Sequence, residues 1–125
     1  MRAEFQILNV SFKYNPPIKK AFKKGLMPEV KKDLYGEDIN NDTVTVEHIT
    51  PASQGGGLDE DNIALAHWYK NCLRGVEPIE KWVTEEMWIA YLKQFKNVKN
   101  HYIDGVRYIR KMCNRFKIDI RKVLG

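Results

Sequence analysis

The apolar positions of this chain change their period along its length, and the changes mark out its elements. Over Phe5–Tyr14 apolar and polar side chains largely alternate in a run rich in β-formers, which predicts a strand ended by Asn15-Pro16-Pro17. Lys19, Lys20, Lys23 and Lys24 then recur at a spacing that predicts a short helix with one basic side, stopped by Gly25. Pro28 predicts another helical piece ending near Gly36, and Glu37 to Asp42 reads as a polar turn. Thr43-Val44-Thr45-Val46 is a β-branched strand that runs into Glu47-His48 and ends at Pro51. Ser53 to Gly57 is a flexible loop, Asn62 to His67 a second short strand, and Trp68 to Arg74 a short helix closed by Gly75. Thr84 is placed as an N-cap ahead of Glu85 and Glu86, with Trp88, Tyr91, Leu92 and Phe95 following at helical spacing. A final helix is expected over about Asn100 to Phe116, with Ile103, Val106, Ile109, Met112 and Phe116 as its apolar stripe. Arg107, Lys111 and Arg115 recur every four residues on its other side.

This pattern predicts a single α+β domain over 1–125. Its centre is a hairpin-and-helix core at about 43–75, with flanking α-helices, an N-terminal strand segment and a basic helical C-terminal extension at about 84–125. At 125 residues the chain is long enough to bury a core without staples. The two cysteines, Cys72 and Cys113, exclude by number a disulfide framework and a four-cysteine zinc site, and both read as small buried hydrophobes. No apolar run reaches the roughly 20 residues of a membrane span. The first residues lack the apolar stretch of a signal peptide, so a cytoplasmic protein without a membrane partner is expected.

Charge adds a direction. The net charge of +5 points to an anionic partner. Its distribution sharpens this, because Lys99, Arg107, Arg110, Lys111, Arg115, Lys117, Arg121 and Lys122 face only Asp104 and Asp119 in the C-terminal part, whereas acidic side chains outnumber basic ones over 47–96. A near-neutral or acidic centre between basic ends suits a metal-holding site flanked by phosphate-contacting arms.

Three polar side chains in the central hairpin are placed where they could converge. Glu47 and His48 end the first strand, and Asn71 lies in the helix that folds back over it. A carboxylate and an amide oxygen are hard ligands suited to Mg²⁺ or Mn²⁺, and a histidine can deprotonate water near neutral pH. These are parts for phosphodiester hydrolysis.

Val46-Glu47-His48-Ile49-Thr50-Pro51, then Gly55-Gly56, Asn62-Ile63-Ala64-Leu65 and Asn71-Cys72-Leu73-Arg74-Gly75 together resemble an HNH endonuclease. The resemblance covers about residues 43–75, and it implies the ββα-metal fold without zinc knuckles. It implies His48 as general base, Glu47 and Asn71 as ligands of one divalent cation, and Asn62 as the residue that ties the histidine's loop to the backbone. The intervals of 14 and 23 residues from His48 to Asn62 and Asn71 are similar to those in the HNH domains of CRISPR effector nucleases. The expected activity is metal-dependent cleavage of DNA, one strand per site, so that a double-strand cut calls for a homodimer.

Around that set, Arg74 is a candidate for stabilising phosphate charge through its planar fork, with Lys70 second to it. Arg107, Lys111 and Arg115 are candidate nucleic-acid contacts, against the simpler reading of a solvated helix face. His67 is read as structural, and Trp68, Trp82 and Trp88 as core anchors. Two other functions compete. One keeps the fold without the chemistry, as a nucleic-acid-binding or inhibitory module with a vestigial hairpin. The other is a regulatory domain acting through protein contacts of its aromatic C-terminal half.

Overall fold

The computed structural model describes residues 15–125, so the strand expected over Phe5–Tyr14 lies outside the described residues. At the centre is an antiparallel hairpin of β1 (Val44–His48) and β2 (Ile63–His67), with Val44 opposite His67 and His48 opposite Ile63. Both strands are buried on both faces except at their C-terminal ends, which explains why they read as near-continuous apolar or β-branched runs. Helix α2 (Trp68–Arg74) follows β2 directly, completing a ββα unit.

Two strands leave two free edges, and buried backbone groups there need partners. The β2 edge is closed by two tyrosines and a loop. Tyr91 Oη accepts from Leu65 N at 2.9 Å and shares a hydrogen with Tyr108 Oη at 3.0 Å, while Tyr108 Oη donates to Ile63 O at 2.8 Å. Leu34 N donates to Leu65 O, and Asp33 Oδ2 accepts from His67 N at 2.7 Å. The β1 edge is closed by α2 itself. Asn71 Nδ2 donates to Val46 O at 3.1 Å and Arg74 Nη1 to His48 O at 3.2 Å.

The flanking elements bury one continuous core against this hairpin. Before it lies α1 (Pro17–Lys23), ended by Gly25 at φ +73°. Its lysines do not share one wet side, since Lys19 is buried. The helix expected after Pro28 is absent. Its backbone is claimed elsewhere: Gln94 Oε1 accepts from the amides of Lys31 and Lys32, Ile39 N donates to Lys31 O, and Lys32 bridges Asp38.

Helix α3 (Glu85–Lys93) starts as expected at Thr84, whose Oγ1 accepts from Met87 N. It carries Trp88, Tyr91 and Leu92 into the core. The last long helix, α4 (Gly105–Phe116), begins later than Asn100. Asn100 Oδ1 accepts from the amides of Tyr102 and Ile103, fixing a turn there, and Asp104 is the N-cap. Its buried side is Gly105, Tyr108, Ile109, Met112 and Cys113, so Ile109 and Met112 of the expected stripe are buried, as is Ile103 just before the helix, while Val106 and Phe116 are only partly buried. A short helix α5 (Arg121–Leu124), which the sequence pattern did not signal, seats Val123 in the core. Among the described residues no helix is long and apolar enough to cross a membrane.

Candidate functional site

The loop end of the hairpin is where β1 delivers Glu47 and His48. Because successive side chains alternate across a strand, the two go opposite ways. Glu47 turns inward and is 1% exposed, whereas His48 remains partly accessible.

Glu47 is fully engaged inside. Its Oε1 accepts from Tyr35 Oη at 2.5 Å and its Oε2 from Arg74 Nη1 at 2.7 Å. Burial pushes the Glu47 carboxyl up, and Tyr35 and Arg74 pull it back toward the ionised form. Burial and the neighbouring carboxylate hold the Tyr35 hydroxyl far above its ordinary value, so Tyr35 is the donor in their bond.

Arg74 does more than balance that charge. It donates through Nε to Glu77 O at 2.8 Å, through Nη1 to His48 O and through Nη2 to Ile49 O at 2.5 Å, and its side chain is 1% exposed. The phosphate contact expected of Arg74 is therefore replaced by an internal role. It fastens the chain leaving β1 to the end of α2.

The next residue, Thr50, is held by Asn62. Asn62 Oδ1 accepts from Thr50 N at 2.7 Å, and its Nδ2 donates to Thr50 O at 3.1 Å and Gly57 O at 2.8 Å. The loop passes so close that a Cβ on Gly56 would lie 1.7 Å from Thr50 O, which only glycine allows. Asn62 thus ties the His48 loop to the start of β2. Burial lowers the His48 pKa from its ordinary value, so the imidazole is neutral near pH 7 and able to accept a proton.

Residues 34–73 match the family described as HNH endonuclease. This segment is an HNH module. It begins ahead of residue 43, where the motifs start, and so takes in Tyr35, the partner of Glu47. Neither the curated proteins nor the solved structures give a match to the chain.

HNH nucleases typically use a divalent metal, and Glu47 with Asn71 are the ligands the motif implies. In this HNH module they do not fit that ion. Both Glu47 oxygens are spent on Tyr35 and Arg74 in a site closed to water, and Asn71, held to Val46 O through Nδ2, would have to bring its Oδ1 to a cation without that carboxylate. Among the described residues no three His, Cys, Asp or Glu side chains gather as a ligand group. A guanidinium already supplies the positive charge that the carboxylate faces.

The outlying candidates sit elsewhere. Arg107 makes a two-pronged ion pair with Glu60, at 2.9 and 3.2 Å, and Lys111 lies 3.7 Å from the same carboxylate. Arg115 turns inward to Thr50, Asp61 and Asn62. The basic stripe is thus largely engaged by the HNH module instead of lying bare. Lys70 pairs with Glu37 at 3.5 Å, and His67 Nδ1 accepts from Tyr69 N as the N-cap of α2. Trp88 is a core anchor and Trp82 partly so, but Trp68 is 37% exposed, and Cys72 is exposed while Cys113 is buried.

Sequence reasoning missed Tyr35, Asp33 and the inward turn of Arg115. For Asp33 a signal exists in Asp33-Leu34-Tyr35-Gly36, since an aspartate two residues before a turn amide caps it, here at 2.9 Å.

Proposed function

We propose that this protein is a DNA endonuclease of the HNH type, with His48 as the general base. The observation that carries the reading is the fastening of the His48 loop. Asn62 grips both backbone groups of Thr50, Arg74 grips the carbonyls of His48 and Ile49, and His48, partly exposed with its pKa lowered by burial, begins the stretch they hold. In the proposed step His48 takes a proton from water. The water oxygen forms a bond to phosphorus, an ester P–O bond breaks, and the departing oxygen takes a proton from solvent.

The test is plasmid nicking by the full chain in Mg²⁺, in Mn²⁺ and in EDTA. Wild type is expected to cut at least about a hundredfold faster than His48→Ala, the usual scale of a general-base contribution. Equal rates overturn the assignment.

A second reading has its own observation. The sealed Glu47–Arg74 pair removes the acidic ligand, as expected of an HNH module that keeps the fold and binds nucleic acid without cutting it. Salt-sensitive DNA binding with no cleavage under any of the three conditions would favour that reading.

A further inference from the structure

Arg115 lies on α4, well outside the segment that matches the HNH family, yet its guanidinium reaches into the loop that carries the general base. Nη2 donates to Thr50 Oγ1 at 2.6 Å, and Nη1 donates to Asn62 Oδ1 at 2.7 Å and to Asp61 O at 2.8 Å. Asn62 Oδ1 also accepts from Thr50 N. One side-chain oxygen therefore joins the histidine loop, the start of β2 and the C-terminal helix at a single point. On the other flank of the same four residues, Arg74 binds Glu47, His48 O and Ile49 O. Residues 47–50 are gripped by one guanidinium at the very end of the ββα unit and one from the distant C-terminal helix.

We infer that Arg115 is a positioning residue for His48, acting through Thr50 and Asn62. This rests on the nuclease reading above. A planar fork is suited to the task, because its N–H groups diverge at fixed angles and can hold two loops at a set separation, which an ammonium cannot do. The competing role is a phosphate contact, since Arg115 lines a cleft of about 720 Å³ with Thr50, Gln54 and Lys117. The three short internal bonds favour the positioning role. A guanidinium that leaves them for phosphate would release Thr50 and Asn62.

The experiment compares wild type, Arg115→Ala, Arg115→Lys, Thr50→Val, Asn62→Ala and the Asn62→Ala/Arg115→Ala pair in single-turnover nicking. DNA affinity is measured in parallel across a salt series, with thermal melting for each protein. His48→Ala gives the background rate, and Arg110→Ala removes an exposed charge from the same helix as a control. Arg115→Ala is expected to lower the cleavage rate constant about a hundredfold, the scale of a 1 Å misplacement, with DNA affinity and its salt slope unchanged. Arg115→Lys should melt near wild type yet cut slowly, and the double variant should be no slower than Asn62→Ala alone. Should Arg115→Ala fail to fold, Arg115→Lys and Thr50→Val decide. A wild-type rate constant in Arg115→Lys and Thr50→Val overturns the inference, as does a loss confined to affinity with a salt slope about one unit shallower. Wild type cutting no faster than His48→Ala is a different failure, in which the nuclease reading falls and this inference with it.

Discussion

Removing a carboxylate from water costs several kcal/mol unless its oxygens find charged or hydrogen-bonding partners, and Glu47 finds both. Its two oxygens are divided between Tyr35 and Arg74, and both members of the ion pair are 1% exposed. Arg74→Met should therefore leave a bare buried charge and cost about 3–5 kcal/mol in urea unfolding. Adding Glu47→Leu to it should recover much of that loss, because two apolar side chains strand no charge; an additive double variant would show that the two residues do not act as a pair. The neighbouring His48 makes a pH prediction with a definite sign. Its folded pKa lies below the unfolded value of about 6.5, so the unfolded chain protonates first as pH falls. Stability from the neutral imidazole is complete above about pH 6.5 and drains away below it. The acid limb of the cleavage profile should likewise have its midpoint below about 6.5, and a midpoint at or above that value would contradict a half-buried neutral base.

At the scale of elements, the hairpin depends on groups that close its edges. Tyr91 and Tyr108 are buried and serve Leu65 N and Ile63 O through a hydroxyl pair. Tyr91→Phe removes the acceptor for a buried amide, and Tyr108→Phe the donor to a buried carbonyl. Each should cost about 1–3 kcal/mol, and hydrogen exchange should speed up at Leu65 in the first variant. These roles explain what was legible in the sequence. The two strands, α2 and the Thr84 cap could be read because β-branching, an N-cap and a closing glycine act over a few residues. The tie from Asn62 to the loop that follows His48 could be read because both ends lie inside one motif. The partners of Glu47 could not. Arg74 stood three residues beyond Asn71 and looked like a phosphate ligand, and Tyr35 belonged to a stretch that read as the end of a helix. Pairing across 27 residues is decided by packing, which periodicity does not carry. The start of α4 was misjudged for the opposite reason, since one local turn at Asn100 overrides an apolar pattern that would otherwise extend the helix.

For the whole molecule, the basic C-terminal part is less free than its composition implies. Glu60 holds Arg107 and sits near Lys111, while Arg115 serves the loop. Arg107→Ala is then expected to change the slope of log affinity for DNA against log salt by much less than the one unit of a bare phosphate contact. Glu60→Gln should steepen that slope by releasing the two cations, and a full-unit loss in Arg107→Ala would restore Arg107 as a direct contact. The closed edges of the hairpin carry a wider consequence. Tyr91 and Tyr108 come from helices beyond the HNH segment, so residues 34–73 cut out by themselves would present Ile63 O and Leu65 N to any passing chain. Such a fragment should stack strand upon strand with its own copies, and grafting this module onto another scaffold would require carrying the two tyrosine-bearing helices along with it.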